Sequence, residues 1–276
     1  MSLNSVNTNS GALIALQNLN QTSSELQVTQ QRINTGLKVS SAKDDASIWA
    51  IAQNQRAQST SLDAVMGSLS RGQSSLDVAI SAGTSISDLL VQMKSKALAA
   101  SDAGLDSTSR SALNNDFKAL RDQVTTIVTN ADFNGINMIQ SGGDTIYALA
   151  NAAGTSKITV LAQDLSLGGA NVTVASTDSI GTSTTASTMI ATLQTSIDNV
   201  SASLAKLGTG AKALDNHFTF ISKLKDSIDA GVGNLVDADL AKESAHLQAL
   251  QTKQQLGVQA LSIANSSATI LLGLFR

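Results

Sequence analysis

Not one of the 276 residues is proline, although average usage would place about 14 in a chain this long. Proline breaks helices by removing a backbone donor and clashing with the preceding turn, so its absence permits very long, unbroken helices. The spacing of apolar residues says where they lie. From Leu240, steps of seven reach Leu247, Gln254, Leu261, Ala268 and Phe275, and the positions three further on include Leu250, Ala264 and Leu271. At the other end Ala12, Leu19, Leu26 and Ile33 are spaced by seven, with Leu16 and Leu37 extending the stripe. Such spacing makes a helical seam that needs a partner helix. A helix over 235–276 would be about 60 Å long at about 1.5 Å per residue. Charge is nearly absent from both ends: there is none from Gln254 to Phe275, and Glu25 stands alone between Met1 and Gln31. A solvated coiled coil carries Lys and Glu on its outer faces, whereas these segments carry Ser, Asn, Gln and Thr. The two ends are expected to pair with each other and to leave further surface for other contacts.

The rest of the composition excludes several classes. Hydrophobic residues at 42% suffice for a core, and aromatics at 3% make that core aliphatic. Absence of cysteine removes disulfides, zinc-thiolate centres and thiol nucleophiles. A net charge of −3 without a basic face gives no footing for nucleic acid. No run approaches the roughly 18 apolar residues of a membrane span, so membrane insertion is not expected. The first cation is Arg32 and polar residues interrupt every apolar run. No Sec-type signal is therefore expected, while an export route that reads an uncleaved N-terminus stays open.

Along the chain, a first helix is expected from about Val6 to Ile33, broken by Gly36 and the polar run from Ser40 to Asp45. Asp44 and Asp45 sit where acids start a helix, and helical spacing then continues from Ala46 to about Ala100. Ser101–Gly104 ends that helix and Asp106 starts a shorter one through Val128. Phe133-Asn134-Gly135 signals a turn into a hairpin or short strand. Between 141 and 185 glycines punctuate short alternating runs such as Lys157–Leu161 and Asn171–Val174, which predicts a small, β-rich, exposed insertion. Helical spacing returns at Met189, with possible breaks at Gly208, Gly210 and Gly231-Val232-Gly233. The expected fold is mainly α: long antiparallel helices in a nested coiled-coil bundle with a small β-rich central insertion. Its parts are 1–40 with 235–276 as paired terminal helices, 41–140 with 186–234 as the bundle, and 141–185 as the insertion.

Chemistry-bearing patterns are weak. Glu243-Ser-Ala-His246 has the Glu-x-x-His spacing of bundle di-iron sites, but the other histidine, His217, has Leu214 three residues earlier. Gly231-Val-Gly233-Asn-Leu-Val236 half-matches a dinucleotide loop, yet follows a helix and has Val at the third glycine position. No serine lies in a nucleophile elbow. No enzyme activity, cofactor or metal is expected. Trp49, four residues after Asp45, is expected to anchor the start of its helix.

The strings Leu16-Gln17-Asn18-Leu19-Asn20, Gln31-Arg32-Ile33-Asn34-Thr35-Gly36-Leu37-Lys38, Ser41-Ala42-Lys43-Asp44-Asp45-Ala46, Phe133-Asn134-Gly135, Leu261-Ser262-Ile263-Ala264-Asn265 and the final Leu274-Phe275-Arg276 resemble bacterial flagellin. They occur in the family's order and cover most of 3–133 and 186–276. The resemblance implies a structural subunit that polymerises into the flagellar filament used for swimming, with paired terminal helices lining the inner tube. Leu16, Leu19, Leu26, Ile33, Leu240, Leu247, Leu250, Leu261, Ala264, Leu271 and Phe275 would then form the polymerisation seam. It also implies secretion by the flagellar type III apparatus to an extracellular filament. The implied partners are further copies of the chain, sister flagellins, an export chaperone, and the filament cap and hook-filament junction proteins. A junction protein is itself the alternative reading.

Two departures from the family pattern stand out. The middle region is short, as in a minimal subunit. The family segment read by the innate immune receptor for flagellin carries arginines and a glutamate where this chain has Gln92, Lys94 and Ser95. Gln and Lys cannot reproduce a bidentate arginine fork, so weak receptor activation is expected. The resemblance also admits O-linked sugars on the densest hydroxyl cluster, Ser176, Thr177, Ser179, Thr182, Ser183, Thr184 and Thr185.

Overall fold

The computed structural model describes residues 8–273, with side chains through Ser266. The elements in chain order are α1 (Ser10–Thr35), α2 (Ala46–Ala100), α3 (Ser107–Asn130), β1 (Ile146–Leu149), β2 (Lys157–Val160), α4 (Ser183–Val236) and α5 (Leu240–Gly273). The chain divides into two compact units, Met1–Ala57 with Ser227–Arg276, and Gln58–Asp226.

Local chemistry explains the boundaries. Asn9 caps α1 by accepting Ala12 N at 3.0 Å, and the expected start at Val6 lies outside the described residues. Gly36 ends α1 at φ 70°, its N–H reaching Arg32 O at 2.9 Å, the left-handed termination that glycine makes easiest. Asp45 starts α2 by accepting from Ser47 N and Ile48 N, both at 3.0 Å. Its neighbour Asp44 turns back into the preceding loop instead. Asp106 caps α3 through Thr108 N and Ser109 N.

In the unit Gln58–Asp226, α2 and α4 run antiparallel. Lys225 pairs with Asp63 at 2.7 Å, and Gln73 Nε2 donates to Asp215 Oδ1 at 3.4 Å. Leu62, Leu69 and Leu76 on α2, and Leu193, Val200, Leu207, Leu214 and Ile221 on α4, are buried at seven-residue steps. α3 returns along α2: Lys96 pairs with Asp116 at 2.7 Å, and Arg110 donates to the carbonyl of Ala100 at the end of α2 and to those of Asp102 and Leu105 in the turn that follows. Phe133 and Ile136 exchange both backbone bonds around Asn134 (φ 56°) and Gly135 (φ 80°), the two-residue hairpin turn with positive φ at both central positions.

The segment 141–185 carries the small β insertion between α3 and α4. Its strand content is one hairpin, with Ile146 opposite Val160 and Leu149 opposite Lys157, and much of the rest is irregular. Tyr147 and Leu161 are exposed, while many of its apolar side chains are buried, namely Ile146, Ala148, Val160, Leu165, Val172, Val174 and Ile180. A line of small residues receives them. A Cβ at Gly72 would meet Ile146 and Leu214, one at Gly83 would meet Leu204 and Leu165, and one at Gly210 would lie 2.6 Å from Val160 Cγ1. Ser196 Oγ accepts Thr173 N at 3.0 Å, Ser68 Oγ accepts Leu149 N at 3.1 Å, and His217 Nε2 donates to Ala150 O at 2.8 Å. The small positions of α2 and α4 thus form a groove filled by this segment.

The breaks expected in α4 do not occur. Gly208, Gly210, Gly231 and Gly233 all lie inside one helix. A mid-helix glycine costs only about 1 kcal/mol, which close packing such as that of Val160 on Gly210 outweighs.

Candidate assembly surface

In the other unit α1 and α5 lie antiparallel. Asn9 Nδ2 donates to Ala264 O at 2.7 Å, Thr29 Oγ1 meets His246 Nδ1 at 3.2 Å, and Arg32 pairs with Glu243 at 3.1 Å. Gly257 faces Leu19, since a Cβ there would stand 3.3 Å from Leu19 Cδ1. Beyond Arg32 the two strands of chain stay joined: Leu37 bridges Asp237, Lys38 N donates to Val236 O at 2.7 Å, and Ala238 N donates to Gly36 O at 2.8 Å. Val39, Ala52, Val232 and Val236 form a core there, with Leu37, Ile48, Trp49, Ile228 and Leu235 packed on it. Trp49 thus serves as an anchor at the start of α2.

The pair sorts the seam residues. Leu250 is 3% exposed, and Leu19, Leu26, Ile33, Leu247, Leu261 and Ala264 are half-buried. Leu16 and Leu240 are not between the helices; they are 44% and 49% exposed on the flank. Phe275 and the side chain of Leu271 lie outside the described residues. In place of the two displaced leucines the seam uses Thr22 and Thr29, each 2% exposed. Thr22 meets its hydrogen-bond need by donating to Asn18 O at 2.8 Å, inside its own helix. Thr22 and Thr29 follow Ala15 at seven-residue steps, a signal that a search for large apolar residues passes over. Gly257, a weak point in an isolated seam that the sequence marks as a place for close approach between neighbouring rods, permits that approach to the chain's own α1.

Large apolar side chains stay uncovered on the outer faces: Leu13, Ile14, Leu16 and Val28 on α1, and Leu240, Leu256, Val258 and Ile263 on α5. Burying such a side chain is worth about 1.5–3 kcal/mol, so this surface is suited to association.

A cavity of about 480 Å³ beside the paired links is lined by Arg32, Lys38, Asp44, Asp45, Asp237, Asp239, Lys242 and Glu243 among others. Its carboxylates mostly have structural duties. Asp239 caps α5 through Ala241 N and Lys242 N, and Glu243 holds Arg32. Asp44 Oδ2 accepts from the amides and hydroxyls of Ser40 and Ser41 at 2.9–3.2 Å. Those donors, the Ser40 hydroxyl foremost, hold its carboxyl below the usual aspartate range.

The remaining sequence candidates separate in the same way. His246 and Glu243 face Thr29 and Arg32, and His217 faces Ala150 O; among the described residues no cluster of three or more His, Cys, Asp or Glu suits a metal ion. In the hydroxyl cluster Thr182 and Thr185 cap the start of α4 for each other, and Ser183 Oγ donates to Ser101 O at 2.7 Å. Ser176, Thr177 and Thr184 are exposed, and Ser179 is half-buried. On α2, Gln92 and Ser95 are exposed, while Lys94 Nζ donates to Gln194 Oε1.

The comparisons with known proteins agree along the whole chain. Residues 6–144 match the bacterial flagellin N-terminal helical region, and residues 190–275 the bacterial flagellin C-terminal helical region. Flagellin FljO of Caulobacter vibrioides is 59% identical over 276 residues, with all of both chains covered. Flagellin FljK of the same organism is 57% identical over the same span, and the flagellin of Brucella melitensis biotype 1 is 38% identical over 284 residues, covering 99% of each chain. A putative flagellar hook-associated protein from Vibrio parahaemolyticus shares the fold, with a TM-score of 0.58 at 15% identity, over 70% of this chain and 100% of that one. None of the full-length relatives named here is a hook-associated protein. The chain belongs to the bacterial flagellin family, the structural subunits that polymerise into the extracellular filament of the flagellum.

Proposed function

We propose that 1–40 with 235–276 are the polymerising core of this subunit, and that 41–140 with 186–234, carrying 141–185, form its helical bundle. The observation that carries this reading is the set of uncovered apolar side chains on both outer faces of α1 and α5. Ordering a residue costs about 1–2 kcal/mol of backbone entropy, and a two-helix pair buries apolar surface on one side only. Neighbouring copies supply the missing cover, so ordering of the pair is coupled to assembly. The partners are further copies of the chain and sister flagellins. Before assembly an export chaperone covers the same faces, and the chain passes the type III apparatus with its ends unpaired. Cap and junction proteins meet the same surface at the two ends of the filament.

The test is seeded growth. Full-length protein added to short filament fragments elongates them, while chains trimmed before Ser40 or after Leu235 do not. Filaments from a core lacking both ends would overturn the assignment.

Two surface roles accompany it. Ser176, Thr177, Ser179 and Thr184 are the hydroxyls of their cluster not used at the start of α4, and are the positions for O-linked sugar; filaments from the native host with the bare 28.3 kDa mass would remove that role. Gln92, Lys94 and Ser95 present no arginine fork, so monomer should signal weakly in a receptor reporter assay, and robust signalling would refute it.

A further inference from the structure

The α1–α5 pair has a hole on one flank. Ala15, Asn18, Leu19, Thr22, Lys253, Leu256, Gly257 and Ala260 enclose about 250 Å³. Small residues make it: Gly257 leaves Leu19 in direct contact with the α5 backbone, and Ala15 and Ala260 wall the space above it. A helix turns about 100° per residue, so residues three, four and seven apart share a face. On α5 that rule puts Lys253, Leu256 and Ala260 on the flank with the hole. On α1 it puts Leu13 and Leu16 on the opposite flank from Asn18, and Val258 of α5 joins them there. With Leu19 opposite Gly257, Leu16 and Val258 lie at the same level of the pair as the hole.

One pair therefore carries an aliphatic ridge on one flank and an aliphatic-sized hole on the other. The ridge brings no charge: Leu13, Leu16 and Val258 are exposed, and their neighbours on that side, Asn20, Gln27 and Gln251, are neutral. Covering the ridge itself desolvates no ion, and among the described residues lining the hole only Lys253 is charged. A two-fold contact would set like flank on like flank and close, whereas an open polymer needs two different patches that match. We propose that the hole at Gly257 receives the Leu16 side of a second copy of this chain, so that adjacent pairs pack ridge into hole, side by side at one level. The proposal rests on the reading of α1 and α5 as the polymerising core, and specifies which flank meets which.

Because the chain has no cysteine, a single pair can report the contact. Leu16 and Ala260 stand on opposite flanks of their own pair, out of reach of each other, since a disulfide needs Cα atoms about 4.4–6.8 Å apart. Filaments of a Leu16→Cys, Ala260→Cys chain, grown reduced and then oxidised, should give a ladder of covalent multimers on a denaturing gel. Oxidised filaments that run only as monomer would overturn the proposal and point to another segment, or water, in the hole. Filling the hole provides a second measurement. Ala260→Leu should raise the critical concentration for growth at least tenfold with the monomer's circular dichroism unchanged, and Leu16→Ala in the same chain should restore growth. Ala260→Leu chains that elongate at the parent's critical concentration would also overturn it. Failure of the parent chain itself to elongate seeds would strike the polymerising-core reading instead.

Discussion

Gly257 of α5 rests against Leu19 of α1, so close that a Cβ at 257 would stand 3.3 Å from Leu19 Cδ1. The contact is within one subunit, and it sets how closely the two terminal helices approach. A methyl there needs a shift of a few tenths of an ångström from a mobile leucine tip, and alanine gains up to about 1 kcal/mol of helix propensity over glycine. Gly257→Ala should therefore elongate seeds much as the parent does. Gly257→Leu cannot fit without pushing the helices apart and should abolish elongation. Comparable growth of the two variants would show that the approach at 257 is not what holds the pair.

Leu250 is the most buried apolar side chain of α5 among the described residues. A carboxylate there would have to be desolvated without a partner, at a cost of several kcal/mol. Leu250→Glu should leave the thermal melt of the bundle nearly unchanged while removing filament growth. Ser176→Glu, on the exposed turn before α4, falls among surface changes worth within about 0.5 kcal/mol and should grow normally. Pelleting assays on the two variants side by side decide it; equal loss would sink the ranking.

The long helices were legible because their signals are local and repeated. The seven-residue lines, the proline-free composition and the acids at 45 and 106 placed α2 at Ala46–Ala100 and the start of α3 at Ser107. What could not be read was how small and hydroxyl residues are used in packing. Thr22 and Thr29 look like surface residues, but Thr22 bonds its own helix and Thr29 meets His246, so both can be buried. Gly210 looks like a break, but with Gly72 and Gly83 it opens a groove. The alternation in 141–185 predicts the small β-rich insertion but not which of its side chains are covered, because the residues that cover them lie on α2 and α4, distant in sequence. Spacing alone puts Leu16 and Leu240 on the apolar stripes of α1 and α5, but it does not fix the angle at which two helices meet, and both stand exposed on the flank of the pair.

Asp106 should give the bundle an acid-side slope. The Ser109 hydroxyl and amide, with the Thr108 amide, donate to its carboxylate and hold its pKa below the ordinary aspartate value, about 3.9 in an unfolded chain. Such a group favours the folded state at pH above the unfolded value. That contribution is lost as pH falls from about 4 through the lower folded value. Asp44 acts in the same direction through Ser40 and Ser41. Asp106→Asn keeps a capping oxygen but cannot titrate. Thermal melts between about pH 2 and pH 6 should show a shallower acid decline for Asp106→Asn than for the parent, with the two curves converging at the lowest pH. An unchanged slope would mean that the capping carboxylate does not contribute.

Gly208 and Gly210 provide the sharpest test of the groove, because they are two residues apart on one helix and should respond with opposite signs. Nothing lies within 4 Å of a Cβ at Gly208, so Gly208→Ala should gain the helix-propensity difference, about 1 kcal/mol, and raise the melting temperature. A Cβ at Gly210 would lie 2.6 Å from Val160 Cγ1 and 3.0 Å from Val160 Cγ2. Valine is branched at Cβ and has little rotamer freedom, so β2 itself must move. Overpacking of this kind costs about 1–3 kcal/mol, which exceeds the propensity gain, and Gly210→Ala should lower the melting temperature. Val160→Ala combined with Gly210→Ala removes the clashing methyls and should recover part of that loss, a coupling that a double-mutant cycle measures directly. If both glycines gave the same sign, or if Val160→Ala failed to couple to Gly210→Ala, the hairpin would not be seated on α4 through this contact.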